Sequence, residues 1–108
     1  MSEAMDALEA RVNRQLNLMR DLGDELGAIR VRESSPDGAV TVEVDGNAAL
    51  CDLAFTDGIA KMSPREFESV MVATAGRAAH LAIARRAELV NAFNSELAET
   101  ITDQGREQ

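Results

Sequence analysis

One histidine, one cysteine and ten arginines carry the chemical potential of this 108-residue chain, which has no Tyr, no Trp and a single Lys. His80 is its only side chain whose ordinary pKa lies near neutrality. It sits between Ala79 and Leu81 with no Ser or Cys beside it, so it reads as a helix-surface or interface histidine and not as a general base. Cys51 alternates with Leu53 and Phe55, which places it on the inward face of a strand as a small core residue. A lone Cys with a lone His cannot complete a zinc site, and one Cys excludes an internal disulfide. The Asp-Gly pairs at 37, 45 and 57 read as turns, because they lack the acidic spacing of a calcium loop. No glycine-rich phosphate loop follows a strand. The expectation is a protein without catalysis, cofactor, metal or small-molecule substrate.

The arginines allow a different chemistry. Residues 69–87 contain no acid and hold Arg77, His80, Arg85 and Arg86; Lys and Arg side chains bind nucleic acid by neutralising phosphates. On a straight helix, however, Arg77, Arg85 and Arg86 fall at roughly 0°, 80° and 180° and share no face. A second group, Arg11 and Arg14 with Arg20 further on, follows Glu3, Asp6 and Glu9. Arg30 and Arg32 face Glu43 and Asp52 across the expected strands, where they are neutralised. The alternative role for the helix arginines is solubility and pairing with Asp21, Glu25 or Glu88. Overall the chain carries 19 acids against 11 bases, a net charge of -8, which weighs against nucleic acid. The excess is uneven: -2 over residues 1–34, -4 over 35–62, +1 over 63–93 and -3 over 94–108. Base reading is not expected, since there is no helix-turn-helix, zinc-finger or basic-zipper pattern. Without Tyr or Trp, stacking on single strands is disfavoured. Any binding should be to duplex phosphates, weak, of low sequence preference and steeply salt-dependent.

The elements that position these residues follow from periodicity. Met5, Val12, Met19 and Leu26 alternate with Leu8, Gln15, Leu22 and Ile29 in a seven-residue repeat, the pattern of an amphipathic helix with coiled-coil character. Gly23 and Gly27 weaken its last turn. Period-two alternation then takes over in Ile29 and Val31, in Val40, Val42 and Val44, and in Cys51, Leu53 and Phe55, with turns at Ser35-Pro36-Asp37-Gly38, Asp45-Gly46 and Asp57-Gly58. That predicts a three-stranded antiparallel meander with one apolar face. Ser63, Pro64 and Glu66 form a capping box that opens a second long helix. One apolar stripe of this helix (Phe67, Met71, Ala75, Ala78, Ala82, Leu89, Phe93) can cover the sheet. A second (Val72, Ala79, Ile83, Val90, Leu97, Ile101) lacks a partner within the chain. The reading is an α+β fold, α-β-β-β-α, with a single domain over residues 1–98 and a frayed polar tail over 99–108. The surplus apolar surface predicts a homodimer, with Met5, Leu8, Val12, Met19, Ile83, Val90, Phe93 and Leu97 as interface candidates.

This element order resembles the YbaB/EbfC family of bacterial nucleoid-associated proteins. The resemblance rests on the first helix, Val40-Thr41-Val42-Glu43-Val44-Asp45-Gly46, Leu50-Cys51-Asp52-Leu53 and the Ala-rich helix over 64–93, most of the chain. It implies a dimer that binds double-stranded DNA and organises the nucleoid or affects transcription, with Arg77, His80, Arg85, Arg86, Arg11 and Arg14 as candidate contacts. The Arg and Ala bias suggests a high-GC organism such as an actinobacterium. Some actinobacterial relatives are associated with type VII secretion, so a protein-interaction or adaptor role in such a system is the alternative. The start Met1-Ser2-Glu3-Ala4-Met5-Asp6 lacks the apolar core of a signal peptide. No apolar run reaches the ~20 residues of a membrane span, and the chain is expected in the cytoplasm.

Overall fold

The computed structural model describes residues 2–106, apart from the side chains of Ile101 and residues 103–106. Ile101 of the second stripe, and Asp103, Gly105 and Gln108 of the expected tail, thus fall outside the described side chains or residues. The elements are α1 (Glu3–Gly27), β1 (Arg30–Ser34), β2 (Val40–Asp45), β3 (Leu50–Phe55), a short 3-10 helix (Asp57–Lys61) and α2 (Pro64–Arg106). The strands form an antiparallel sheet in the order β1-β2-β3, and the α-β-β-β-α architecture is the one the periodicity predicts. α1 continues through Gly27, and α2 runs on to Arg106 instead of ending near Ala98. The chain divides into two compact units: Gly27–Ala87, and the first 26 residues together with those from Glu88 onward.

In the first unit, alternate residues of β2 are sealed off: Val40 and Val42 are 0% exposed and Val44 is 3%. Ala78 and Ala82 of α2, both wholly buried, pack against them. Two alanines at this spacing let the helix backbone approach the sheet closely, and larger neighbours (Val31, Leu53, Ile59, Phe67, Val70, Met71) close the sides. Phe67 also packs on Phe55, with ring centroids 5.4 Å apart, which is within the range of a favourable aromatic pair. Thr74, buried in the same helix, has no partner for its hydroxyl among the described residues.

The turns hold by side chain. Gly38 takes the left-handed conformation (φ 75°), while the Asp37 carboxylate accepts from Ser35 Oγ (2.7 Å) and the Ala39 amide (3.0 Å). The Asp45 carboxylate accepts from the amides of Asn47 (2.9 Å) and Ala49 (3.0 Å). There the left-handed residue is Ala48 (φ 63°) and not Gly46. The third Asp-Gly pair opens the 3-10 helix, capped by the Thr56 hydroxyl, instead of a hairpin turn. Ser63 caps α2 by accepting from the Glu66 amide at 3.1 Å.

Two expectations about the sheet need correcting. Cys51 is exposed. A register shift pairs Val44 with Leu50 and Glu43 with Asp52, so Cys51 has no residue opposite it on β2 and falls out of the alternation; simple period-two counting cannot see a bulge. Phe55 shares the inward face but lies on an edge strand and stays 43% exposed. The first stripe of α2 also does not stay together: Leu89 and Phe93 belong to the second unit.

That second unit pairs α1 with the distal part of α2. Arg11, Gln15, Leu18, Leu22 and Leu26 are half-buried along one side of α1, and Leu18 and Leu22 share a groove with Leu89 and Phe93. The expected seam is therefore divided. Leu22, Leu26 and Gln15 face inward, whereas Met5 (45%), Leu8 (49%), Val12 (44%), Leu16 (48%) and Met19 (59%) are exposed. α1 has no buried residue at all.

Candidate nucleic-acid interface

The usefulness of a cation for phosphate binding depends on whether the fold has already given it a partner. Arg77 is committed: its Nη2 donates to the Ser34 carbonyl at 3.0 Å and its Nε lies 3.7 Å from Glu33. Arg86 donates to the Asn47 side-chain carbonyl in the β2–β3 turn. Arg32 lies 3.4 Å from both Glu43 and Asp52, the cross-strand neutralisation that alternation predicts. Arg30 bonds the backbone carbonyls of Ile29 (2.7 Å) and Gly27 (3.3 Å). The partners of Arg77 and Arg86 lie 43 and 39 residues away in sequence, beyond the reach of local pattern reading.

Of the other candidates, Arg85 and His80 on α2 and Arg14 on α1 are exposed and carry no ion pair among the described residues. Arg11 is half-buried on the inward side of α1. His80 borders a shallow groove of about 490 Å³ with Val72, Gly76, Arg77 and Leu81, and no nucleophile lines it. Arg85 and His80 belong to the sheet unit, and Arg14 to the helical unit.

Charge is split between the units more sharply than along the chain. The sheet unit holds eight acids and seven bases, whereas the helical unit holds eleven acids and four bases. Almost all of the net -8 therefore belongs to the helical unit, and the sheet unit is close to neutral. Two cations of the sheet unit were missed by following the acid-free stretch. Lys61 and Arg65 stand at the end of the 3-10 helix and the start of α2, and in sequence they are masked by Asp57, Glu66 and Glu68. Among the described residues no three His, Cys, Asp or Glu side chains are gathered for a metal, and no helix is long and apolar enough to cross a membrane.

A three-stranded antiparallel meander preceded and followed in sequence by long helices defines a small α+β protein. Its backbone is similar to that of the uncharacterized protein HP0035 from Helicobacter pylori, whose crystal structure superposes with a TM-score of 0.61 at 18% identity, over 88% of this chain and 97% of that one. No curated protein matches. The chain belongs to the YbaB/EbfC DNA-binding family, whose model matches residues 1–97. DNA is therefore the partner that family membership supports.

Proposed function

We propose that the chain acts as a homodimeric, non-enzymatic nucleoid-associated protein of the cytoplasm that binds double-stranded DNA weakly and with little sequence preference. The observation that carries this reading is membership of a DNA-binding family in a chain whose sheet unit is nearly neutral and keeps unpaired cations at its surface. Few free cations mean few phosphate contacts, hence modest affinity that is electrostatic in origin and falls with salt. The exposed stripe Met5, Leu8, Val12 and Met19, with Ile83 at 57% exposure on α2, supports self-association through apolar surface. Val90, Phe93 and Leu97 are half-buried and contribute less free area.

Duplex binding measured by fluorescence anisotropy at about 50 mM and about 200 mM salt tests the reading. Binding at the lower salt that falls by an order of magnitude or more at the higher one is expected, with equal affinity for duplexes of unrelated sequence. A folded protein that fails to bind any duplex at low salt overturns it. A protein partner that survives nuclease treatment in a pull-down would instead favour an adaptor role.

A further inference from the structure

We propose that a cleft beside the first turns of α2 is a phosphoryl-binding site, with Lys61 and Arg65 as its cationic contacts and Ser69 as a neutral donor. The cleft, of about 690 Å³, lies wholly within the sheet unit, between the 3-10 helix, the first turns of α2 and the start of β2. Its shape depends on Gly58: a Cβ there would stand 3.2 Å from the Ala39 Cβ and 3.3 Å from Thr56 Oγ1. The glycine therefore lets the 3-10 helix lie close against β2.

The unpartnered donors of the lining point to an anionic ligand. Neither Lys61 nor Arg65 forms an ion pair or hydrogen bond among the described residues, and the Ser69 hydroxyl has no partner there either. The Asp37 carboxylate also lines the cleft, but it is taken up by Ser35 Oγ and the Ala39 amide. Those bonds hold its pKa below the ordinary carboxylate value. Glu66 is the one untethered carboxylate of the lining. Two unpaired cations and a free hydroxyl, beside two carboxylates of which Asp37 already accepts two hydrogen bonds, leave free donors that suit a compact anion with several acceptor oxygens. The guanidinium offers a fork of donors and the ammonium a point charge, the combination that phosphate oxygens accept. The phosphoryl group belongs either to a DNA backbone or to a free phosphorylated small molecule. With a DNA phosphate the site rests on the duplex-binding reading, and with a free phosphorylated molecule it stands apart from it.

The test uses the full chain, with two probes (sodium pyrophosphate and a short labelled duplex) and two variants: the double variant Lys61→Gln, Arg65→Gln, and the single variant Glu66→Gln. Because these side chains are exposed, the variants should keep the wild-type melting curve, which is checked by circular dichroism. In the wild type, pyrophosphate should shift the backbone amide resonances of Gly58, Arg65 and Ser69. The double variant should lose at least tenfold in affinity for one probe, and Glu66→Gln should gain a few-fold for the same probe by removing a like charge from the ligand. Loss on the duplex, with a salt slope reduced by about two for two lost contacts, assigns the phosphoryl group to DNA. Loss on pyrophosphate with unchanged duplex binding assigns it to a free phosphorylated molecule. If neither probe weakens in a folded double variant, the proposal is overturned. A wild type that fails to bind duplex would sink the duplex reading alone and leave this site to the pyrophosphate result.

Discussion

The two units of this chain solve the problem of burying apolar surface in opposite ways. In the sheet unit, β2 is central: Val40, Val42 and Val44 have strands on both sides and Ala78 and Ala82 against them, and all five are buried. In the helical unit, α1 has only one neighbour of its own unit and seals none of its residues. An apolar arc wider than one contact leaves its second half, from Met5 to Met19, facing outward. The sheet unit thus closes its core within the chain, whereas the helical unit leaves a seam for another surface. Charge follows the same division, with nearly all the excess acid on the helical unit.

The sharpest way to break this contrast is at its centre. Val42→Ala removes two methyl groups from a site with no exposure and should cost about 2–3 kcal/mol of stability, read as a lower denaturant midpoint at unchanged slope. A loss below 0.5 kcal/mol, of the order of an ordinary surface change, would mean that the sheet core is looser than its burial indicates. At the seam the reverse is expected. Val12→Asp should leave the melting of the sheet unit unchanged but convert a dimeric mass to a monomeric one, measured by light scattering at tens of micromolar. A dimer that survives Val12→Asp but not Ile83→Asp would move the interface to the sheet unit.

The smallest effect concerns acid. Amide hydrogen bonds from Ala49 and Asn47 hold the Asp45 carboxyl below its ordinary pKa, and the Ala39 amide with the Ser35 hydroxyl does the same for Asp37. A group whose folded pKa is depressed stabilises the fold above its unfolded value and loses that contribution as pH falls through the folded one. The melting temperature should therefore fall as the pH drops below roughly 4. Asp45→Asn combined with Asp37→Asn should flatten that limb; an acid limb as steep as the wild type's would assign it to other carboxylates.

The element order was legible because each change of period is marked by its own chemistry: Gly27 before β1, Asp-Gly at the turns, and Ser63-Pro64 before α2. Direction was not legible. The heptad positions of α1 describe an apolar arc but do not say which part of it meets α2, so Met19 and Leu22 look equivalent in sequence and differ in the fold. Cys51 was misplaced because a bulge shifts the alternation by one residue without leaving a mark in composition. For the candidate interface, the residue types were readable and their availability was not. Arg77 and Arg86 lose their freedom to partners distant along the chain, while Lys61 and Arg65 keep theirs although acids flank them in sequence.

Arg77 has one further consequence. The Ser35 amide donates to the Val40 carbonyl and Ser34 is opposite Thr41, so the alternation of an antiparallel ladder turns the Ser34 carbonyl away from β2 toward the open side of β1. The guanidinium occupies that carbonyl. An open strand side invites another strand to add to it and start a stack of sheets, and a charged side chain anchored from α2 obstructs the first step. Arg77 is thus a charged obstacle at an edge strand, one of the devices that make strand addition less favourable.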